Sequence, residues 1–420
     1  MIYLIGTGMG DPGELSPVAE NAIENAALLI GSKRLISRYE NRKTLELTSP
    51  AVIIDALKER AEADGDICVL LSGDAMFYSA GDGIYRALTA EGIDVRIIPG
   101  ISSLVYFCAA AGEKWSDTKL LSAHGRDTDL ASHIRDSERC FALMDRGSSV
   151  KKLCEKLEYF GMEGVTLTVG QRLGYPDERI VRFEKGNLCD EGKRSEISDE
   201  ESLTVILAVN EDPRRDALDA LEDEDFLRKR DEGRIIPLTK RPVRALSLDM
   251  LGLKTDSVLW DVGAGCGSIG IAASLLSPDI KVWALEKDPE ALALVRENAR
   301  RFKASNLEAV GGIAPEDLKM LPDPTHVFIG GSSGNIEEII SVVFKRNPGA
   351  RIVANIISIK TLSELEKALE EHHEWEAVFS QVSVSTEKRA GEHRLMQGNN
   401  PVYIVGICMS AGDPSRSCGG

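Results

Sequence analysis

The sequence is poor in aromatic residues and in long apolar runs, and its basic residues are outnumbered by its acidic residues. Aromatic residues make up 5% of the 420 residues, and 50 Lys and Arg stand against 67 Asp and Glu, a formal net charge of −17. This acidic balance argues against general nucleic-acid binding. No apolar run approaches the length of a membrane span, and the N-terminus lacks a basic region followed by an apolar one. We therefore expect neither a transmembrane segment nor a signal peptide.

The eight cysteines are scattered and form no C-x-x-C pair or metal-ligand spacing. We therefore predict reduced thiols, no metal site and a cytoplasmic protein. The sequence also lacks a Ser-His-Asp order, so it offers no strong nucleophile of its own. A chain of 420 residues exceeds one typical domain, and two or three domains are expected.

The stretch 258–270 combines an apolar strand, a glycine turn and the start of a helix. The strand is 258–262, with Asp261 near its end, and the helix extends to Leu276 before Ser277-Pro278. The glycines between them alternate: Gly263, Gly265 and Gly267. Strand, turn and helix in this order open a doubly wound nucleotide-binding fold. The spacing D-x-G-x-G-x-G departs from the G-x-G-x-x-G of dinucleotide sites. It resembles motif I of class I S-adenosylmethionine (SAM) methyltransferases.

The resemblance implies roles for particular residues. Asp261 is expected near the methionine part of SAM, and Glu286, which directly follows the next strand, 281–285, is expected to take the ribose hydroxyls. The loop 309–316 resembles the loop that flanks adenine in that family. The cofactor-binding residues expected in this half are Thr239, Asp261, Gly263, Ala264, Gly265, Cys266, Gly267, Glu286, Ala314 and Gly330. A chance glycine turn is the alternative, which the agreement of strand, turn, helix, strand and acid disfavours.

A second glycine-rich loop, 6–13, follows the first strand of the chain. Alone it is a weak signal and is also compatible with a dinucleotide site. Three further strands end in Gly-rich or Ser-rich loops, where open α/β sheets bind ligands: Ser72-Gly-Asp-Ala-Met-Phe-Tyr78, Pro99-Gly-Ile-Ser-Ser103 and Leu120-Leu-Ser-Ala-His-Gly-Arg-Asp127. This series resembles the tetrapyrrole methylases, SAM enzymes with two α/β lobes and the cofactor in the cleft between them.

The second resemblance covers about residues 1–209. The cofactor-binding residues expected in this half are Gly8, Gly73, Asp74, Ser102, Ser103 and Met144. Asp11 and His124 are candidates for acid–base or substrate-orienting roles because they lie in loops expected to face the ligand. A purely structural role for His124 stays open. Arg126 is a candidate substrate-binding residue.

The joint pattern predicts an α/β protein with an N-terminal two-lobed tetrapyrrole methylase fold and a C-terminal Rossmann-like class I methyltransferase fold. We predict a first domain over 1–210, a charged linker over 211–233, a second domain over 234–410 and a disordered tail over 411–420. The linker prediction rests on the acidic composition of 211–226, which is typical of a solvated connector.

Taken together, the two halves resemble the precorrin C5,15-methyltransferases (decarboxylating) of cobalamin biosynthesis. The resemblance implies methylation of a precorrin, or its cobalt form, at C5 and C15 with loss of carbon dioxide from an acetate side chain. The residues expected to hold this anionic substrate in the C-terminal half are Lys240, Arg244, Gly331, Ser332, Ser333, Gly334 and Arg394, with Arg389 as a catalytic candidate. A homo-oligomer is expected, since both families often assemble. The alternative is an RNA or protein methyltransferase with an N-terminal SAM-sensing domain, although the sequence lacks the aromatic and basic stripe of RNA-binding proteins.

Overall fold

The computed structural model describes residues 1–39, 41–60, 65–123, 128–144, 149–201, 203–214, 221–229 and 235–410. The chain separates into two compact units. The first unit comprises Met1–Asp127, Ser137–Cys154 and Gly164–Glu211. The second unit comprises Thr128–Asp136, Glu155–Glu163 and Asp212–Gly420. Two short segments from the first half of the sequence thus group with the second unit, so the units are not simply the two halves of the chain.

A parallel sheet opens the first unit. Its strands are β1 (Ile2–Gly6), β2 (Leu28–Gly31), β3 (Thr44–Glu46), β4 (Ile67–Leu71) and β5 (Val95–Ile98). Their order across the sheet is β3-β2-β4-β1-β5, and every pairing is parallel. Separate apolar clusters pack on its two faces, which explains why β1, β2 and β4 are almost continuously apolar. The parallel order brings the ends of β1, β4 and β5 to one edge.

A mostly antiparallel sheet completes the first unit. Its strands are β6 (Lys119–Ser122), β7 (Arg139–Leu143), β8 (Val165–Gln171), β9 (Arg179–Phe183) and β10 (Thr204–Asn210). The order is β6-β7-β10-β8-β9, in which β6 pairs with β7 in parallel and the other pairs are antiparallel. The two sheets correspond to the two lobes expected from the sequence.

The sheet of the second unit has the Rossmann-like arrangement. The strands of this part of the chain are β11 (Val258–Val262), β12 (Lys281–Glu286), β13 (Leu307–Gly311), β14 (His326–Ile329), β15 (Arg351–Ile356), β16 (Trp375–Val382), β17 (Ser385–Ala390), β18 (His393–Gly398) and β19 (Val402–Met409). The order is β13-β12-β11-β14-β15-β19-β16, in which the first five strands are parallel and β19 pairs antiparallel with both β15 and β16. Strands β17 and β18 form a separate antiparallel hairpin, which the sequence pattern does not reveal.

Helices connect the strands, and α1 and α11 carry the capping residues expected for them. In chain order they are α1 (Pro17–Asn25), α2 (Lys33–Ile36), α3 (Pro50–Lys58), α4 (Gly81–Thr89), α5 (Ser103–Ala111), α6 (Leu130–Arg135), α7 (Val150–Tyr159), α8 (Glu191–Glu196), α9 (Arg241–Leu251), α10 (Ser268–Ser274), α11 (Pro289–Arg301), α12 (Ile336–Arg346) and α13 (Ile359–Glu371). Helix α1 begins at Pro17 after Ser16, whose hydroxyl accepts from the Ala19 N–H at 3.2 Å. Helix α11 begins at Pro289, and Asp288 accepts from the Glu290 N–H at 2.9 Å.

The acidic stretch that we expect to be a solvated linker is packed where the structure describes it. Phe226 is 4% exposed, and its ring lies 4.7 Å from that of Phe302. The backbone N–H of Leu227 donates to the Asn298 side-chain oxygen at 2.8 Å, and the Asn298 amide donates back at 3.0 Å. Residues 221–228 therefore form part of the second unit. Phe226 and Leu221 are both buried, but the acidic residues around them make this segment look like a solvated linker in the sequence.

Three findings bear on the other sequence-based expectations. Within the described ranges, no helix is long and apolar enough to cross a membrane, and no three His, Cys, Asp or Glu side chains gather as metal ligands. Cys408 is disulfide-bonded, so the expectation that all eight cysteines are reduced is wrong. The tail predicted over 411–420 lies outside the described residues. Six cysteines form no disulfide bond: Cys68, Cys108, Cys140, Cys154, Cys189 and Cys266.

Candidate active sites

The glycine loop after β11 has a backbone that only glycine tolerates without strain. Gly263, Gly265 and Gly267 all have φ between +60° and +84°. A Cβ atom at Gly263 would lie 2.8 Å from the carbonyl oxygen of Gly331, in the loop after β14. The two strand-end loops therefore meet backbone to backbone, which requires glycine at this position.

Glu286, the last residue of β12, closes this loop from the other side. One carboxylate oxygen accepts from the Gly265 N–H at 2.8 Å, and the other accepts from the Asp288 N–H at 3.0 Å. The residue is 9% exposed and lines a cavity. Each carboxylate oxygen has a second lone pair, so Glu286 can hold the loop and still accept from two hydroxyl groups of a ligand.

Asp261 lies beneath the loop and is 1% exposed. One of its carboxylate oxygens accepts from the Gly270 N–H in the first turn of α10 at 2.8 Å. Burial raises the pKa of Asp261 to about 7, the Gly270 hydrogen bond opposes that rise, and the nearby Glu286 adds to it. Asp261 thus fixes the helix start against the end of β11.

Two cavities flank the glycine loop. The small cavity has a volume of about 270 Å³ and is lined by residues that include Glu286, Lys287, Ala314 and Gly331. The large cavity has a volume of about 460 Å³ and is lined by residues that include Thr239, Lys240, Asp261, Ala264, Asn355 and Asn399. Gly263, Gly265 and Gly330 line both cavities.

The chemistry of these walls fits SAM. Glu286 offers acceptors for two ribose hydroxyls, and Ile313 with Ala314 offers an apolar surface for a purine in the same small cavity. The large cavity begins at the same glycines and has room for the methionine part and for a second ligand. Bound SAM supplies an electrophilic methyl group.

Some of the other predicted residues of this half line a cavity, and others do not. Gly331, Ser332 and Ser333 line the small cavity, and the Ser333 hydroxyl accepts from the Lys287 ammonium at 2.7 Å. Cys266 and Gly267 lie behind the loop: Gly267 precedes α10, and burial raises the pKa of the Cys266 thiol to about 11. These two residues and Gly334 are outside both sets of lining residues.

The predicted basic cluster is not brought together. Arg244 is 3% exposed and donates to the Thr239 carbonyl at 2.8 Å, to the Asp223 carboxylate at 3.1 Å and to the Leu221 carbonyl. It therefore fastens the acidic stretch to α9. Arg389 and Arg394 are exposed ladder partners in the hairpin β17–β18, outside the lining residues of both cavities.

In the first unit, Asp74 joins the loops that follow β4 and β5. One carboxylate oxygen accepts from the N–H groups of Met76 at 2.8 Å and Phe77 at 3.1 Å. The other accepts from the Gly100 N–H at 3.2 Å. The loops after β1 and β4 are joined directly, since the Gly73 N–H donates to the Gly8 carbonyl at 2.8 Å.

A cavity of about 340 Å³ lies beside these loops. Of the predicted residues, Gly73, Asp74, Ser103 and Met144 line it. Ser102 instead caps α5 by accepting from the Val105 N–H at 3.3 Å. Asp11 is exposed and accepts from the Gly13 N–H at 2.8 Å, which makes it a turn residue in this structure. The predicted residues His124 and Arg126 lie outside the described residues.

Two residues that sequence reasoning missed also line this first-unit cavity. Arg34 on α2 donates to the hydroxyl of Tyr175, and its guanidinium carbon lies 5.5 Å from the ring centroid. The guanidinium carbon of Arg172 lies 5.0 Å from the centroid of the same ring. Burial, together with the charges of Arg38 and Arg172, lowers the pKa of Arg34. The guanidinium group of Arg34 in the lining of this cavity favours an anionic ligand.

An α/β chain with glycine-rich loops at the ends of parallel strands in both units is of the SAM-dependent methyltransferase class. Comparison with known families agrees: residues 1–189 match the model for tetrapyrrole (corrin/porphyrin) methylases, and residues 231–407 match the model for a precorrin methyltransferase domain. A precorrin-6Y C(5,15)-methyltransferase [decarboxylating] from Sinorhizobium sp is 30% identical over 389 residues, 89% of this chain and 87% of that protein. The chain belongs to the precorrin-6Y C5,15-methyltransferase (decarboxylating) family.

Two further relatives each match a little less than half of the chain. The cobalt-precorrin-6B C(15)-methyltransferase (decarboxylating) of Salmonella typhimurium is 36% identical over 186 residues, 44% of this chain and 94% of that protein. A crystal structure of precorrin-6y C5,15-methyltransferase from Geobacter metallireducens GS-15 is 38% identical, with a TM-score of 0.42, and covers 46% of this chain and 96% of that chain.

Proposed function

We propose that this chain adds methyl groups to C5 and C15 of one corrin precursor, precorrin-6B or its cobalt form, and removes carbon dioxide from an acetate side chain. The observation that carries the proposal is that one chain contains both kinds of glycine-lined site and aligns over 89% of its length with a protein named for both methylations and the decarboxylation. The reaction belongs to cobalamin biosynthesis.

The proposal assigns the C5 methylation to residues 1–210 and the C15 methylation with decarboxylation to residues 234–410. Support comes from the Salmonella relative, which is named for C15 methylation and decarboxylation and aligns with 44% of this chain and 94% of its own length. The remaining methylation then falls to the half that resembles enzymes that only methylate. We retain 211–233 as the sequence boundary between the halves, although 221–228 packs on the second.

The residues of the two sites serve chiefly to position the reactants. The meso carbons of a tetrapyrrole are nucleophilic, so methyl transfer needs a fixed, close approach rather than a protein nucleophile. Glu286 and the loop 263–267 fix the cofactor side of the second unit. Asp74 and Gly73 fix the corresponding loops of the first unit, and Arg34 offers a cation to the carboxylates of the substrate.

We also propose a cytoplasmic homo-oligomer. Six of the eight cysteines form no disulfide bond, which favours a reducing compartment, although Cys408 is disulfide-bonded. The hairpin β17–β18 presents exposed apolar side chains, with Leu395 56% and Met396 69% exposed, which favours a contact with a second copy. Light scattering coupled to gel filtration tests the oligomer, and a monomer at all concentrations would contradict it.

Product masses test the proposed reaction. The full chain with SAM and precorrin-6B, or its cobalt form, should give a product that has gained two methyl groups and lost one carbon dioxide. Gly263→Ala should leave one methylation and no loss of carbon dioxide, because its Cβ would meet the Gly331 backbone at 2.8 Å. Loss of carbon dioxide by Gly263→Ala at the wild-type rate would contradict the assignment of that step to the second unit.

A further inference from the structure

The large cavity of the second unit has two asparagines on its wall with unpaired side-chain nitrogens. Asn355 lies in β15, and Asn399 lies between β18 and β19. The Nδ2 atoms of both are buried and have no hydrogen-bond partner among the described residues. A buried donor without an acceptor costs free energy that a suitable ligand recovers. These donors therefore indicate that the cavity accepts a group with hydrogen-bond acceptors.

The orientation of Asn399 is fixed by its neighbours. The ammonium of Lys240 donates to the side-chain oxygen of Asn399, and an ammonium has donors only. Reversing the amide would place its nitrogen against that ammonium, so the oxygen must face Lys240. The backbone N–H of Asn399 also donates to the Val384 carbonyl at 2.9 Å. Asn399 is therefore held as a donor whose amide is polarised by a cation behind it.

The orientation of the Asn355 side-chain amide is less constrained than that of Asn399. The Ser247 hydroxyl lies 3.0 Å from the Asn355 side-chain oxygen and 2.8 Å from the Val243 carbonyl, but it has one proton to give. In one orientation Asn355 keeps an unpaired nitrogen, and in the reversed orientation it keeps an unpaired oxygen. In both cases one polar atom of Asn355 is left for a ligand, whereas only Asn399 is committed to donating.

Part of the rest of this wall is apolar and suits a carboxylate that must be destabilised. Val382, Val384 and Val402 line the cavity with Asn399 and would keep water from a group held there. A direct ion pair would stabilise the carboxylate before the reaction and oppose its loss. A neutral amide orients the carboxylate at smaller cost, because Lys240 is already engaged with the amide oxygen.

We infer that Asn399 binds and orients the substrate carboxylate that is lost as carbon dioxide, with Lys240 as the residue that positions Asn399. The inference rests on the proposed function. In the step itself the bond between the methylene carbon and the carboxylate carbon breaks, and carbon dioxide leaves. The electron pair moves into the protonated macrocycle and neutralises it. Tautomerisation then moves that proton to the methylene carbon, which becomes a methyl group, so no further reactant is needed.

The test compares carbon dioxide loss with methylation in the full chain. Asn399→Leu keeps the size of the side chain and removes its donor. We expect carbon dioxide loss to slow by about tenfold or more, because the carboxylate loses the fixed orientation that the bond cleavage requires, while both methylations continue. Gln397→Leu removes an exposed amide two residues earlier, outside the lining residues of the cavity, and should leave both steps unchanged.

The outcomes separate the inference from the function on which it rests. If the wild-type chain releases no carbon dioxide from any of these substrates, the proposed function fails. If it does and Asn399→Leu matches it, or loses C15 methylation by the same factor, the inference is overturned. Asn399→Asp retains the contact with Lys240 and serves if the leucine variant does not fold. It should also slow carbon dioxide loss selectively, because it repels the substrate carboxylate.

Discussion

Glu286→Gln should weaken SAM binding in the second unit and also loosen the loop 263–267 when no ligand is added. The native carboxylate accepts from the Gly265 N–H at 2.8 Å and from the Asp288 N–H at 3.0 Å. Glutamine has one acceptor oxygen and one donor nitrogen in the same space. One of the two backbone N–H groups must then face another donor, and one of the proposed ribose contacts is lost as well.

The size of both effects can be worked from this geometry. Glu286 is 9% exposed, so solvent compensates little for a lost partner. A hydrogen bond to a charged group contributes about 1.5–3 kcal/mol, and a buried N–H left unpaired costs about 1–3 kcal/mol. We therefore expect SAM affinity at this site to fall by about tenfold or more and the free energy of unfolding of the second unit to fall by about 1–3 kcal/mol.

Calorimetric titration of the full chain with SAM measures the affinity, and the site of the first unit serves as an internal reference. Glu308→Gln is the control, because Glu308 is an exposed carboxylate on β13. Unchanged SAM affinity in Glu286→Gln, together with reduced stability, would show that Glu286 only fastens the loop. The ribose assignment would then be wrong.

Three further predictions concern other parts of the molecule. Burial raises the pKa of Asp261 from its ordinary 3.8 to about 7. The folded chain thus holds a proton there that the unfolded chain has released, and Asp261 should reduce stability as pH rises from about 4 to about 7, by roughly 4 kcal/mol. Asp261→Asn should remove this slope in denaturant unfolding at several pH values. Phe226→Ala should destabilise the second unit by about 3–5 kcal/mol, because the ring is buried against Phe302. The exposed neighbour Glu224 provides an alanine control, and equal stability of the two variants would contradict the packing. Arg34→Leu should raise KM for C5 methylation by about tenfold through loss of a charged contact, whereas Lys33→Leu on the same helix should not.

The sequence predicted those features of the second-unit site that depend on residues adjacent in the chain. The D-x-G-x-G-x-G spacing identified the loop 263–267, because the turn requires positive φ angles and glycine adopts them without strain. Glu286 was placed correctly at the end of β12, since strand and acid are adjacent in sequence. The cofactor-binding roles of these residues stay predictions.

Contacts between distant segments could not be predicted. Arg34 and Tyr175 are 141 residues apart, and Lys240 and Asn399 are 159 apart. No local pattern marks either pair. The hairpin β17–β18 escaped notice because most of its residues are polar, without the alternation typical of a half-buried strand. Arg244 looked like a substrate residue because its charge is visible in the sequence, whereas its buried partners are not.

The central claim is that one chain contains two dissimilar SAM sites, and a titration of the full chain with SAM tests it most directly. We expect two SAM-binding sites in the wild-type protein. Gly265→Val should remove the one in the second unit, because Gly265 has φ +60° and an added Cβ would lie 3.0 Å from the Pro237 carbonyl oxygen. Gly73→Val should remove the other, since Gly73 has φ +68° and lines the first-unit cavity. A single site in the wild-type protein, or loss of both sites in one folded variant, would contradict the account.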